Sequence, residues 1–354
     1  MQTAEALYPL ILDPLLTTQV WGGDELVRIY GKHGDPNARL GESWECWDAD
    51  TVTNGALAHA TVADLRAKLG PELLGDLDPK RIFPVLTKII TAHDWLSVQV
   101  HPDDAYAQRV EHQPFGKTEC WYVLAAQPNA QIVYGWTRDT SRREYEQRVA
   151  DGTLGELLRH IELKAGDTVY IPHGLVHAIG PGLTVFETQQ ASDLTYRMFD
   201  YNRLGLDGKP RELHVQKAAD VLNYHATTAG TLLQIPYRFE GLDRTALIAD
   251  EHFVVERVLA SREPSSIATQ QRPLILMSLE EPLEVSNGAA TVMLTPYQTV
   301  LIPAASQWCT VAATQSDSAP FMFVTPPQSS SELPVRLLAA GIEQDRIDRF
   351  MGQF

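Results

Sequence analysis

Short runs rich in apolar residues, with turns between them, dominate the chain between residues 82 and 325 and read as strands. They include WLSVQVH (95–101), ECWYVLA (119–125), AQIVYGW (130–136), DTVYIP (167–172) and LTVFETQ (183–189). Further on come HFVVERVLA (252–260), PLILMSL (273–279), ATVMLT (290–295), QTVLIP (298–303) and PFMFVT (320–325). Many short strands with turns between them predict a mainly β protein built as a sandwich or barrel. Helical signals are few. Thr61 and Asp64 form a capping-box pattern before VADLRAKL, with Gly70 as a stop. Segments 103–111, 142–160 and 335–351 also read as helical, the last from Ile347, Phe350 and Met351.

Two segments resemble each other. Gly166-Asp-Thr-Val-Tyr-Ile-Pro172-His-Gly174-Leu-Val-His177 and Tyr297-Gln-Thr-Val-Leu-Ile-Pro303-Ala-Ala305-Ser-Gln-Trp308 each carry a strand ending in Ile-Pro and then a turn. Where the first has Gly174 and His177, the second has Ala305 and Trp308. This reads as a duplicated β-barrel unit whose second copy has lost a potential metal ligand. The expected organisation is a metal-binding barrel over 1–230, a second, metal-free barrel over 231–330 and a helical tail over 331–354 packed on the barrel surface.

A length of 354 residues fits two domains. Hydrophobic residues make up 44% and charged residues 21%, which excludes wholesale disorder. The net charge of −16 disfavours nucleic acid and anionic membrane surfaces as partners. A small anionic substrate stays open, because a few local cations can dominate one pocket. Cys46, Cys120 and Cys309 are odd in number and widely spaced, which reads as three reduced, buried thiols. YPLILDPLL near the N-terminus is interrupted by Pro9, Asp13 and Pro14, and no apolar run reaches the ~18 residues of a membrane span. A cytoplasmic location is expected, as a monomer or small homo-oligomer.

Candidate chemistry begins in LSVQVHP. Leu96, Val98 and Val100 share one face of that strand, and Ser97, Gln99 and His101 the other. Polar groups inside a barrel cost several kcal/mol unless paired, and a metal ion would satisfy both Gln99 and His101. GKTECWYVL sets Glu119, Trp121 and Val123 on one face of a second strand, and IPHGLVHAIG supplies His173 and His177. Two imidazoles and a carboxylate suit a divalent transition metal, with an amide oxygen as a fourth ligand. Each residue alone has a plainer reading: a hydrogen-bonded core histidine, a surface glutamate, a turn residue at His173. Their joint occurrence on separate strands carries the argument.

Gly166-x5-Pro172-x-Gly174-x2-His177 matches the second cupin motif as far as its histidine, while the first cupin motif is interrupted by a long insertion between His101 and Glu119. QVHPDD, GKTECWYVL, IPHGLVHAIG and ETQQASDLTYRMFDYNR, together with WGG and GESWE near the start, resemble class I mannose-6-phosphate isomerases in their short bacterial form. The resemblance covers about residues 8–325. It implies two cupin (jelly-roll) barrels with a few peripheral helices. It implies zinc, or another divalent transition metal, on Gln99, His101, Glu119 and His177. It also places an active-site lysine at Lys117, an active-site arginine at Arg197, and pocket acids at Glu187 and Asp193. Plainer readings are a loop cation for Lys117, and for Arg197 an ion pair with Asp193 or Asp200.

Aldose–ketose interconversion moves a proton between C1 and C2 through an enediol. The resemblance assigns charge stabilisation to the metal and Arg197, and proton transfer to Lys117, with a lowered pKa, or to Glu187 or Asp193. Lys88, Lys117 and Arg197 are candidates to bind a sugar phosphate, and Arg203 is another. The expected reaction joins mannose 6-phosphate and fructose 6-phosphate. Alternatives are an isomerase of an unphosphorylated sugar and a non-catalytic sugar-binding bicupin.

Overall fold

Each apolar-rich segment buries side chains in a core and offers its backbone to a neighbour, and all ten form strands, several of them buried on both faces. The computed structural model describes residues 7–78, 82–326 and 332–354. The fold is mainly β, with two antiparallel sandwiches of the cupin type. Two compact units emerge: the described residues of Leu16–Ser43 and Lys88–Leu232, and those of Met1–Leu15, Trp44–Thr87 and Leu233–Phe354. They are not contiguous in sequence, as 1–230 and 231–330 would be. Backbone pairing decides this: Leu10 and Ile11 pair with Leu301 and Val300, which ties the first strand to the C-terminal unit.

In the unit that carries the histidines, one sheet includes Thr168–Ile171, Glu119–Ala126 and Leu183–Gln190 in adjacent positions. The other runs Tyr196–Phe199, Val98–Val100, His177–Ile179, Gln131–Trp136 and Leu158–Glu162. Trp121, Val123 and Val185 from the first pack with Ile132, Tyr134 and Ile179 from the second in one core. Val98 and Val100, on the outer face, are also buried. They pack with Tyr145, Leu154, Ala218 and Leu222, so helices Arg142–Ala150 and Val215–Val221 cover that face.

The C-terminal unit has an eight-stranded and a four-stranded sheet closed over an apolar core that includes Leu276, Val300, Phe321, Val285 and Val311. Helices Glu332–Ala339 and Gln344–Met351 bury Leu333, Leu337, Ile347 and Phe350 against Ile235, Ala246 and Val254.

Local departures from the expected helices have local causes. The capping box at Thr61 forms, and Val62–Leu69 is helical. The helix expected over 142–160 ends at Ala150, because Leu158–Glu162 alternates and pairs with Gln131–Trp136 as a strand. The tail is two helices rather than one, with Gly341 at a positive φ of 83° between them. Residues 104–111 form one helical turn that widens into a π turn. All three cysteines are buried and unbridged. Among the described residues, no helix is long and apolar enough to cross a membrane.

Candidate metal centre

Strand pairing brings residues distant in sequence side by side. His177 lies opposite Gln99 on one flank of Val98–Val100, and Arg197 lies opposite Gln99 on the other. Cross-strand partners project from the same face, so Arg197, Gln99 and His177 form one row. In the other sheet Glu119 lies between Ile171 and Gln189. The turn before His177 needs Gly174. Its φ is +79°, its N–H donates to His101 O at 2.9 Å, and a Cβ there would meet the Val221 carbonyl at 3.0 Å.

His101, Glu119 and His177 converge with ligand atoms within 4.8 Å of one another, the one such group among the described residues. Glu119 Oε2 is 3.5 Å from His101 Nε2, and Glu119 Oε1 is 3.3 Å from His177 Nε2. Both Nδ1 atoms donate to carbonyls at 2.8 Å, His101 to Leu194 and His177 to Leu175. That fixes the neutral tautomer and turns both Nε2 lone pairs inward. Burial drives both imidazoles toward the neutral form, His177 down to about 3. His101 Nε2 is buried without a hydrogen-bond partner. The Gln99 amide lies 3.3 Å from His177 Nε2, and a half-turn of the amide offers its oxygen to the same space. Inward lone pairs, a buried carboxylate and an orphaned imidazole nitrogen together fit a divalent cation. His173 is exposed and stands outside the group, as a turn residue does.

Around this group lie the other expected residues. Lys117, buried, sets its Nζ 2.8 Å from Glu119 Oε2 and 4.0 Å from Glu187 Oε1. Burial acts downward on its pKa, but Glu119, Glu187 and Asp193 outweigh burial and raise it. Glu187 accepts from Trp121 Nε1 at 2.8 Å, and burial, reinforced by Glu119, pushes its carboxyl up to about 7 against Lys117 and Lys88. Burial acts upward on Glu119 too, yet Lys117 and His101 hold it well below the usual range.

Lys88 is 1% exposed and sits 3.6 Å from Glu187, 3.8 Å from Asp193 and 3.9 Å from Glu42. Asp193 is itself mostly exposed. Arg197 is half-buried and donates to Glu212 O at 2.9 Å, with its Nε left unpartnered. It does not pair with Asp200, which is held by Arg203 and Arg211. Two contributors escaped the sequence reading of the site. Trp121 shares a face with Glu119, a signal that was present, whereas Glu42 gave none beyond its place in GESWE.

Comparison with known proteins agrees with this geometry. The sequence model of "Phosphomannose isomerase type I, catalytic domain" matches residues 10–129. Mannose-6-phosphate isomerase of Streptococcus mutans is 39% identical over 299 residues, covering 82% of this chain and 89% of the relative. Mannose-6-phosphate isomerase ManA of Bacillus subtilis is 38% identical over 277 residues, covering 77% and 85%. The crystal structure of mannose 6-phosphate isomerase from Bacillus subtilis superposes with a TM-score of 0.81 at 31% identity, covering 90% of this chain and 99% of that one.

Proposed function

Because the chain belongs to the type I phosphomannose isomerase family, we propose that it interconverts mannose 6-phosphate and fructose 6-phosphate, with zinc as its metal. The observation that carries the reading is the buried His101–Glu119–His177 group flanked by Lys117 and Glu187. Gln99 is the fourth ligand in this reading. The metal supplies Lewis acidity toward substrate oxygens.

The chain's own residues divide the remaining work. Glu187 exchanges the proton between C1 and C2, since a carboxyl near 7 populates both forms at neutral pH. Trp121 holds one of its oxygens, which aims the other at the pocket. Lys117, 2.8 Å from Glu119 and 4.0 Å from Glu187, donates a hydrogen bond beside the proton-transfer group. Arg197, always charged and with a free Nε, stabilises the developing oxyanion. Asp193, exposed at the rim, orients Lys88 rather than transferring the proton.

Lys88 and Lys117 stand against Glu42, Glu119, Glu187 and Asp193, an excess of two negative charges. A divalent cation would cancel that excess, which removes the electrostatic barrier to an anionic sugar. Lys88 and Arg197 are the proposed phosphate contacts. The test is metal-stripped protein reconstituted with zinc and assayed on mannose 6-phosphate and on free mannose. Zinc-dependent turnover of the phosphorylated sugar alone supports the reading. Turnover of free mannose alone overturns the substrate, and metal uptake without turnover of either overturns the activity.

A further inference from the structure

Away from the metal centre, the C-terminal unit buries three arginines around one small cavity. Arg244 lies on strand Leu242–Ala249, Arg272 just before strand Leu274–Ser278, and Arg336 on helix Glu332–Ala339. Their side chains are 1%, 2% and 11% exposed. Two buried or half-buried carboxylates serve all three. Glu256 Oε2 accepts from Arg244 Nη1 at 3.2 Å and from Arg336 Nη1 at 3.0 Å, while Tyr237 donates to its other oxygen. Glu332 accepts from Arg272 Nη2 at 2.6 Å, and Arg272 also reaches Gln270 Oε1 and Pro326 O. Among the described residues, the buried Nε–H of each arginine has no partner. All three side chains line a cavity of about 20 Å³, whose rim includes the exposed Glu240.

A guanidinium offers five donors and no acceptor. Leaving a buried donor without an acceptor is costly, more so when it is charged. Inside, three cations share Glu256 and Glu332, and the third carboxylate, Glu240, is at the exposed rim. A water molecule would accept from two donors and still need places for its own protons. An anion can accept from several of them at once and has no protons of its own to place. The cavity exceeds the ~10–15 Å³ that a single water needs, which limits the occupant to a halide or one small oxyanion. We propose that Arg244, Arg272 and Arg336 form a binding site for a small inorganic anion. The bound anion fastens helix Glu332–Ala339, which carries Glu332 and Arg336, to the barrel strands that carry Arg244 and Arg272. The site is independent of the isomerase reading and stands or falls separately from it.

The test uses the full chain freed of small anions, titrated with sodium bromide or sodium phosphate while sodium gluconate holds the ionic strength constant. A saturable rise in Tm and slower hydrogen exchange over 332–339 are expected, both lost in R244Q and in R336Q. Crystals soaked in bromide should show an anomalous peak within hydrogen-bond reach of at least two of the three guanidiniums, a result that needs no variant to fold. An equal response in wild type and variants, or a cavity that holds only water in the soaked crystal, overturns the site.

Discussion

The two barrels share a frame and differ in what fills it. In one, strand Thr168–Ile171 leads through Pro172 and Gly174 to His177, which is fully buried. In the other, Thr299–Ile302 leads through Pro303 and the turn Ala304–Ser306 to Trp308, which is 41% exposed. Behind Trp308 the inward positions are Cys309, Val311, Val285 and Ile267, closed into a single apolar core. Burying such aliphatic side chains stabilises by roughly 1.5–3 kcal/mol each, and among the described residues no group of metal ligands converges in this barrel. The first barrel keeps that packing at Trp121, Val123 and Ile132 and gives it up where Gln99, His101, Glu119 and His177 meet. One barrel is therefore filled for stability. The other holds a polar group whose cost is offset by the hydrogen bonds that fix each imidazole.

The comparison breaks most sharply at His101. His101→Ala should lower turnover by on the order of 10³-fold or more and remove the metal with it. Metal analysis beside a coupled assay checks this, and full metal content with normal turnover would sink the ligand assignment. Glu187→Gln should lower kcat about 10²- to 10⁴-fold, the usual weight of one acid–base group, while the metal stays bound. Unchanged kcat would move proton transfer to another residue.

On the second barrel the corresponding polar weak point is Glu256 rather than Trp308. Burial raises its carboxyl, but Arg336 and Arg244 outweigh burial and hold it below 4.5. A depressed folded-state pKa adds stability that is complete above the unfolded value and is lost as pH falls through the folded one. Glu256→Gln should therefore cost roughly 3–5 kcal/mol near neutrality by leaving buried arginines uncompensated. The gap between variant and wild type should narrow on acidification below 4.5. Urea unfolding at several pH values measures both, and a gap independent of pH would contradict the network. The smallest effect is expected of Trp308→His. An exposed imidazole beside an apolar core has no carboxylate to share, so metal stoichiometry should stay as in wild type. A second equivalent of tightly bound metal would show that the first barrel's advantage is one residue deep.

Much of this was legible in the chain. Short apolar-rich runs between turns marked the ten strands, and the spacing Gly166-x5-Pro172-x-Gly174-x2-His177 marked the turn that delivers a histidine to the interior. Val98 and Val100 were readable as a face opposite Gln99 and His101, but not as a face covered by helices, because burial on both sides needs a second layer that no local pattern announces. The strand Leu158–Glu162 hid behind an Arg- and Glu-rich helix because its partner, Gln131–Trp136, lies more than twenty residues upstream. The surroundings of Lys117 were hidden for a related reason: of the three carboxylates that act on it together, Glu187 and Asp193 lie far along the chain.

The sequence by itself determined the strand pattern, the repeat and the identity of the metal-competent residues, since these follow from side-chain period and residue chemistry. Only the tertiary structure decided which strands pair and which residues group into each unit. It alone joined Leu10–Asp13 to Thr299–Ile302, clustered Lys88 with Glu42 and Glu187, and drew three arginines around one cavity. The reason is physical: pairing register, burial and through-space charge depend on distances between segments far apart along the chain, and no local pattern fixes those distances.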